Sequence, residues 1–260
     1  MQGYVLIAIG ERYIDEVCNL IASLRKYNDF RPVTVVVDAD SVDYFNSKNI
    51  DSRTSYTLLR EVDDNFKYYS TEFEVKGMYP KVNLYQFAPY EENIFLDSDV
   101  VCQYYTAKVW EYMSNHKQPV VMTGRKNDPS WYWGTIENVS RIFGKHVPHT
   151  HGGFIYFRKP EAEQFANFAS NIVSRHDELG GLRQFRGSMA DEFIYALSFA
   201  EFGYEPVNFD EFPIITFNIP AADIPTKLQT SENKILEDYI PFIHMYDRGM
   251  YQATFNKVME

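Results

Sequence analysis

The residues best suited to chemistry are Asp97 and Asp99, in the run Asn93-Ile94-Phe95-Leu96-Asp97-Ser98-Asp99-Val100-Val101. Three apolar residues lead into two carboxylates one residue apart, and two valines follow. A short apolar run bounded by polar residues is the pattern of a buried strand. Side chains alternate faces along an extended chain, which puts Asp97 and Asp99 on one side and Ser98 on the other. Two carboxylates facing together repel unless a cation lies between them. All-oxygen ligands favour Mg²⁺ or Mn²⁺ over zinc or copper, and such ions keep positions for water and phosphates. The plainer alternative is a strand end with a solvated acidic turn. The expectation is a metal that holds a diphosphate.

Further candidates lie elsewhere in the chain. His244 closes an apolar run, Ile240 to Ile243, as Asp99 does, and one edge of a parallel sheet collects functional groups. An imidazole there could complete the coordination of an ion on Asp97 and Asp99, or could be a packed core histidine. His146, His149 and His151 match no common zinc spacing and have no cysteine nearby, so a structural or surface role is expected. Asp191 and Glu192 open a helix, where carboxylates suit the dipole, and a glycine-containing loop before them would let one approach a substrate. Lys81 is either a solvated lysine or a cation leaning over the sheet edge toward a phosphate. Trp131-Tyr132-Trp133 is either core or an aromatic platform for a sugar.

These residues need elements to hold them. Tyr4 to Ile9 reads as a buried strand of the parallel type, and Gly10 ends it. Ile14, Val17, Cys18, Ile21 and Leu24 recur at helical spacing, and Val33 to Val37 is a second apolar strand. Strand, helix and strand at this length form a βαβ unit. A short helix is expected over 42–48, then an irregular stretch over 51–79. Pro80 opens a short helix that feeds the Asp97 strand. Further helices are expected over 107–115, up to Phe143, from Pro160 and from 189 to before Gly203. Strands are expected over 119–123 and 154–157, with 124–134 and 177–188 as loops.

The chain has 260 residues, enough for one large core, and shows no internal repeat or linker. A single domain is the economical reading, with no apolar run long enough to span a membrane. The start, Met1-Gln2-Gly3-Tyr4, lacks the basic region of a secretory leader. Only two cysteines occur, Cys18 and Cys102, both in apolar settings, which fits free thiols in a reducing, cytoplasmic setting. The net charge of −11, without a basic stripe, argues against a nucleic-acid partner. An acidic protein can still bind an anion through a metal or a few basic residues.

Taken in order, the first βαβ unit, Asp97-Ser98-Asp99, the strand opening at Gly152, the helix led by Asp191 and the strand-end His244 resemble one family. It is glycosyltransferase family 8, the glycogenin-like retaining transferases with the GT-A fold. The most specific part is Lys81-Val82-Asn83-Leu84-Tyr85 ahead of Asn93 to Asp99, since the family has a basic residue at this distance before its Asp-x-Asp. The resemblance implies an α/β GT-A fold, with a Rossmann-like, mostly parallel sheet flanked by helices. It implies a nucleotide-sugar half over 1–105 and an acceptor half over 106–260.

By the same resemblance, Asp97, Asp99 and His244 hold Mn²⁺ or Mg²⁺ against the donor diphosphate. Lys81 contacts donor sugar and nucleotide, and Asp191 lies near the reacting carbon. Ala8, Ile9 and Tyr13 wrap the nucleobase, with Tyr13 stacked on it, and Ser98 belongs to the donor site. The family's Asn-Ser-Gly is replaced by His151-Gly152-Gly153, and its Asp-Gln by Asp191-Glu192. The tail lacks Lys-Pro-Trp after His244-Met245-Tyr246-Asp247-Arg248-Gly249, and Arg248 stands in on the phosphates.

The implied activity is metal-dependent hexose transfer, with retention, from UDP-glucose or UDP-galactose to a hydroxyl whose bearer the sequence does not identify. A homodimer is allowed for. The rival readings are a haloacid-dehalogenase-like phosphatase using the Asp-x-Asp, and a non-catalytic carbohydrate-binding protein of the same fold.

Overall fold

The opening apolar run builds the centre of a sheet in the structure, a computed structural model that describes residues 1–66, 72–125, 130–131, 134–183, 187–209, 212, 214–217 and 240–260. Strand β1 (Gln2–Ala8) leads through Gly10 into α1 (Glu11–Lys26), then β2 (Val33–Val37), α2 (Val42–Ser47) and β3 (Thr54–Leu58). Next come α3 (Glu72–Val82), α4 (Leu84–Phe87), β4 (Glu92–Leu96), β5 (Val100–Cys102), α5 (Ala107–Ser114) and β6 (Val120–Arg125). A two-stranded ribbon of β7 (Ser130–Trp131) and β8 (Gly134–Thr135) precedes α6 (Ile136–Phe143) and β9 (His149–Arg158). Then follow α7 (Glu163–Ile172), α8 (Asp191–Phe202), β10 (Val207–Asn208), β11 (Ile215–Phe217), β12 (Phe242–His244) and α9 (Arg248–Met259).

Seven strands form the main sheet in the order β10-β6-β9-β4-β1-β2-β3, drawing on both halves of the chain. All neighbours run parallel except β9, which is antiparallel to β4 and to β6. Alternation along β1 assigns the layers. Tyr4, Leu6 and Ala8 pack with Ile14, Val17 and Leu20 of α1 on one face. Val5 lies on the other face in a cluster with Phe95, Ile155 and, from α7 and α8, Phe165 and Phe199. Burying such branched and aromatic side chains on both faces is what makes a central parallel sheet stable.

One consequence of this topology builds the site. The carboxyl ends of β1, β2 and β4 share one edge of the sheet. Because β9 runs the other way, its amino end arrives at that same edge, with Phe154 opposite Leu96. A second, three-stranded sheet, β11-β12-β5, lies beyond it, with β12 antiparallel to β5.

Several sequence expectations need correction. Asp97 to Val101 is not a continuation of one strand, since β4 stops at Leu96 and β5 begins at Val100 in another sheet. The irregular stretch contains β3, an edge strand whose side chains are mostly exposed and so show no apolar run. Pro80 lies inside α3 rather than at a helix start; Tyr79 and Val82 anchor this part of the helix in the core. The loop after Gly124 includes the β7–β8 ribbon, β9 begins at His149, and α9 was not expected at all. Tyr132 and Trp133, and the Trp131 side chain, lie outside the described residues.

Candidate active site and metal centre

Asp97 is the first residue past β4. Its N–H donates to Gly153 O (3.3 Å), and its carbonyl accepts from Val100 N–H (3.2 Å), closing a tight turn. The turn, not strand alternation, brings Asp97 and Asp99 together. The chain then leaves as β5, whose Val100 pairs with His244 of β12. Met245 N–H donates to Asp99 O at 3.0 Å, locking β12 to the turn.

His244 therefore arrives through a backbone ladder from the far end of the chain. Its Nε2 lies 2.9 Å from Asp99 Oδ1 and 3.6 Å from Asp97 Oδ2. One ligand atom from each of Asp97, Asp99 and His244 lies within 4.8 Å of the others. Two carboxylates and one imidazole are a donor set for a divalent cation with further positions left for water and phosphate. The residues fit a metal on donor chemistry alone.

Lys81, near the end of α3, binds two carboxylates at once. Its Nζ is 2.8 Å from Asp97 Oδ1 and 2.9 Å from Asp191 Oδ2. Burial opposes its charge, but Asp191 and then Asp97 outweigh that and hold its pKa well above the ordinary lysine value. Asp97 has the opposite balance: burial raises its pKa, and the charges of Lys81 and His244 offset this only in part. Asp191 and Glu192 open α8 and are both buried. The close approach of these groups requires the two glycines of β9. A Cβ on Gly152 would collide with Asp191 Oδ2, and one on Gly153 with His244 Nδ1.

A cleft of about 410 Å³ opens beside the cluster, with Ile9, Tyr13, Lys81, Ser98, Asp99 and Asp191 in its walls. Ala8 is not in those walls; it is fully buried in the core at the end of β1. Arg248 is exposed on the first turn of α9. Ser98 Oγ donates to Glu16 Oε2 (2.8 Å), and Glu16 also accepts from Arg12 (2.7 Å), which ties the acidic turn to α1. Glu16 had no signal in the sequence beyond its helical position. A larger cleft between α5 and β10 has no such constellation of carboxylates, lysine and strand-end histidine.

His151 also belongs here, against the expectation of a structural or surface role. Its ring lies 5.3 Å from that of His244, and it is hydrogen-bonded to Tyr246. Burial, with His244 and Lys81 nearby, pushes its pKa well below the ordinary histidine value. The available signal was its place just before the glycines of β9, where the family pattern is broken.

The chain matches the family description "Glycosyl transferase family 8" over residues 4–156. No curated protein sequence matches it. Among solved structures, the galactosyltransferase LgtC in complex with donor and acceptor sugar analogs superposes with a TM-score of 0.65 at 11% identity, over 99% of this chain and 95% of that one. Mouse xyloside xylosyltransferase 1, apo form, gives 0.60 at 10% identity, over 94% and 97%. The WbbM bifunctional glycosyltransferase, apo, gives 0.61 at 12%, over 98% of this chain but 49% of that one. At these identities the likeness establishes the GT-A fold. The motif follows the fourth strand, whereas a haloacid-dehalogenase-like phosphatase would carry it on the first. With the match spanning more than half of its length, the chain belongs to glycosyltransferase family 8 and is a glycosyltransferase.

Proposed function

We propose that the protein is a metal-dependent, retaining hexosyltransferase using a nucleoside diphosphate sugar, UDP-glucose or UDP-galactose, and a hydroxyl acceptor. The observation that carries this reading is the convergence of Asp97, Asp99 and His244 beside a cleft large enough for a nucleotide. These three residues would hold Mn²⁺ or Mg²⁺. When bound, the ion supplies Lewis-acid stabilisation of the charge that grows on the departing diphosphate. Lys81 adds a fixed positive charge at the same end. Asp191, held 2.9 Å from Lys81, orients the reacting sugar. Ile9 and Tyr13 take the nucleobase, with Tyr13 as its stacking face, and Ser98 lies at the ribose and diphosphate. Ala8 shapes this wall from behind, and Arg248 reaches the phosphates from the start of α9.

The first half, 1–105, is assigned to the donor, and the second, 106–260, to the acceptor. Retention of anomeric configuration is part of the proposal and is supported by the family membership. LgtC and the mouse neighbour are named a galactosyltransferase and a xylosyltransferase, which supports a sugar donor without choosing it. Cys18 and Cys102 are free, in keeping with a cytoplasmic setting. Among the described residues, no helix is long and apolar enough to cross a membrane.

The test is calorimetric titration of UDP with and without Mn²⁺, alongside hydrolysis of UDP-hexoses. The wild type should bind UDP in a metal-dependent way and turn over one hexose. Asp99→Asn should keep its circular dichroism spectrum and lose about a hundredfold or more in turnover, the several kcal/mol a Lewis acid supplies. Metal-independent UDP binding sinks the reading. Metal-dependent binding with no turnover of any donor favours the non-catalytic alternative.

A further inference from the structure

Lys81 is held at both ends by one helix. Its Nζ meets Asp191, the first residue of α8. Its backbone carbonyl accepts a hydrogen bond from Tyr195 Oη, one turn further along the same face of that helix. A carbonyl oxygen only accepts, so the phenol hydrogen goes to Lys81.

The end of α3 explains why that carbonyl takes a partner from α8. Lys81 is the last residue but one of the helix, and last-turn carbonyls have no donor inside it. Asn83, between α3 and α4, gives its N–H and its Nδ2 to Tyr79 O, at 3.0 and 2.9 Å. Tyr195 serves the Lys81 carbonyl.

The packing of Tyr195 asks only for its ring. The residue is buried in an apolar cluster with Leu84, Ala162, Phe165 and Phe199, its ring nearly parallel to that of Phe165 at 6.2 Å. A phenylalanine would fill the same space, and a buried hydroxyl destabilises unless it is bonded. At the other end of Lys81, Nζ sits between Asp97 and Asp191, 5.4 Å from the Phe95 ring, and a Cβ on Gly152 would come within 3.2 Å of it. Lys81 also lines the cleft beside the metal ligands, so its side chain reaches that cleft from a fixed backbone pivot.

Building on the metal-dependent donor reading, we propose that Tyr195 is a positioning residue of the donor site. Its hydroxyl fixes the pivot from which Lys81 reaches the donor diphosphate and, without donor, competes with the metal for Asp97. Tyr195 acts through Lys81 and makes no contact with donor or metal itself.

The experiment is a double-mutant cycle on the full chain with Tyr195→Phe and Lys81→Met. The readouts are hydrolysis of UDP-glucose and UDP-galactose and calorimetric titration of Mn²⁺ alone. With Lys81 present, Tyr195→Phe should lower turnover about five- to tenfold, the effect of one hydrogen bond. It should tighten Mn²⁺ about threefold, because a loosened ammonium competes less for Asp97. In the Lys81→Met background the same change should alter either quantity by less than about twofold. A merely structural tyrosine would not move turnover and Mn²⁺ affinity in opposite directions, nor would its effects vanish with Lys81. The Mn²⁺ titrations decide the cycle where turnover in the Lys81→Met background is too low to compare. The proposal is overturned if Tyr195→Phe changes neither quantity, weakens Mn²⁺ together with turnover, or keeps its effect without Lys81. Metal-independent UDP binding by the wild type removes the underlying reading instead, and the proposal with it.

Discussion

Lys81 Nζ lies 2.8 Å from Asp97 Oδ1, on the carboxylate whose other oxygen faces His244. An ammonium thus shares a ligand with the divalent cation assigned to this site, and the two like charges compete. Mn²⁺ alone should bind weakly, and UDP should strengthen it by drawing Lys81 toward the diphosphate. Lys81→Met should bind Mn²⁺ alone about tenfold more tightly, because an opposing charge is gone. The same variant should lose about a hundred- to thousandfold in donor turnover. Calorimetry with and without UDP checks the first, and hydrolysis kinetics the second. Unchanged Mn²⁺ affinity would refute the competition.

His244 supplies the one nitrogen of the cluster and is almost fully buried. His244→Ala should leave Asp97 and Asp99 to repel each other and lower Mn²⁺ affinity by about tenfold or more. Since His244 pairs in β12 through its backbone, the ladder to β5 should persist. An unchanged Mn²⁺ isotherm in a folded His244→Ala protein would exclude His244 as a ligand.

Gly153 is predicted to tolerate no side chain. A Cβ there meets the rings of His244 and His151, both held by other contacts. Gly153→Ala should cost about 1–3 kcal/mol of stability, the usual range for overpacking, and should weaken Mn²⁺ by moving His244. Denaturant unfolding and metal titration measure the two effects. Wild-type values in both would show that the ring can step aside.

Asp29 predicts an acid-dependent loss of stability away from the site. It is buried, accepts from Tyr4 Oη at 2.6 Å and from Thr106, and pairs with Arg31 at 3.1 Å. Burial would raise its pKa, but the bonds from Thr106 and Tyr4, with Arg31, outweigh it and set it below the ordinary 3.8. A native pKa below the unfolded one means that stabilisation is full above 3.8 and is lost as pH falls through the native value. Asp29→Asn should lose about 1–3 kcal/mol at neutral pH, with the gap to wild type closing in acid. A gap that stays constant in urea titrations across that range would exclude the linkage.

Much of this protein was readable from residue order. The apolar runs at 4–9 and 33–37, with the helical spacing between them, dictate a βαβ unit because burial on two faces leaves few alternatives. Asp97, Asp99, Asp191 and His244 could be named because strand ends and helix starts are local features; Lys81 stood out only through the family resemblance, by its distance ahead of Asp97, since the helix start expected at Pro80 is the interior of α3. How they meet was not readable. The two aspartates face one another through a turn held by Gly153 and Met245, which are distant in sequence. His244 reaches them only because β12 pairs antiparallel with β5 in a second sheet. The His151–Tyr246 bond spans 95 positions, and no periodicity records such a contact. Local patterns fix which faces are buried; the reversed course of β9 and the pairing of β12 decide which polar groups share the sheet edge.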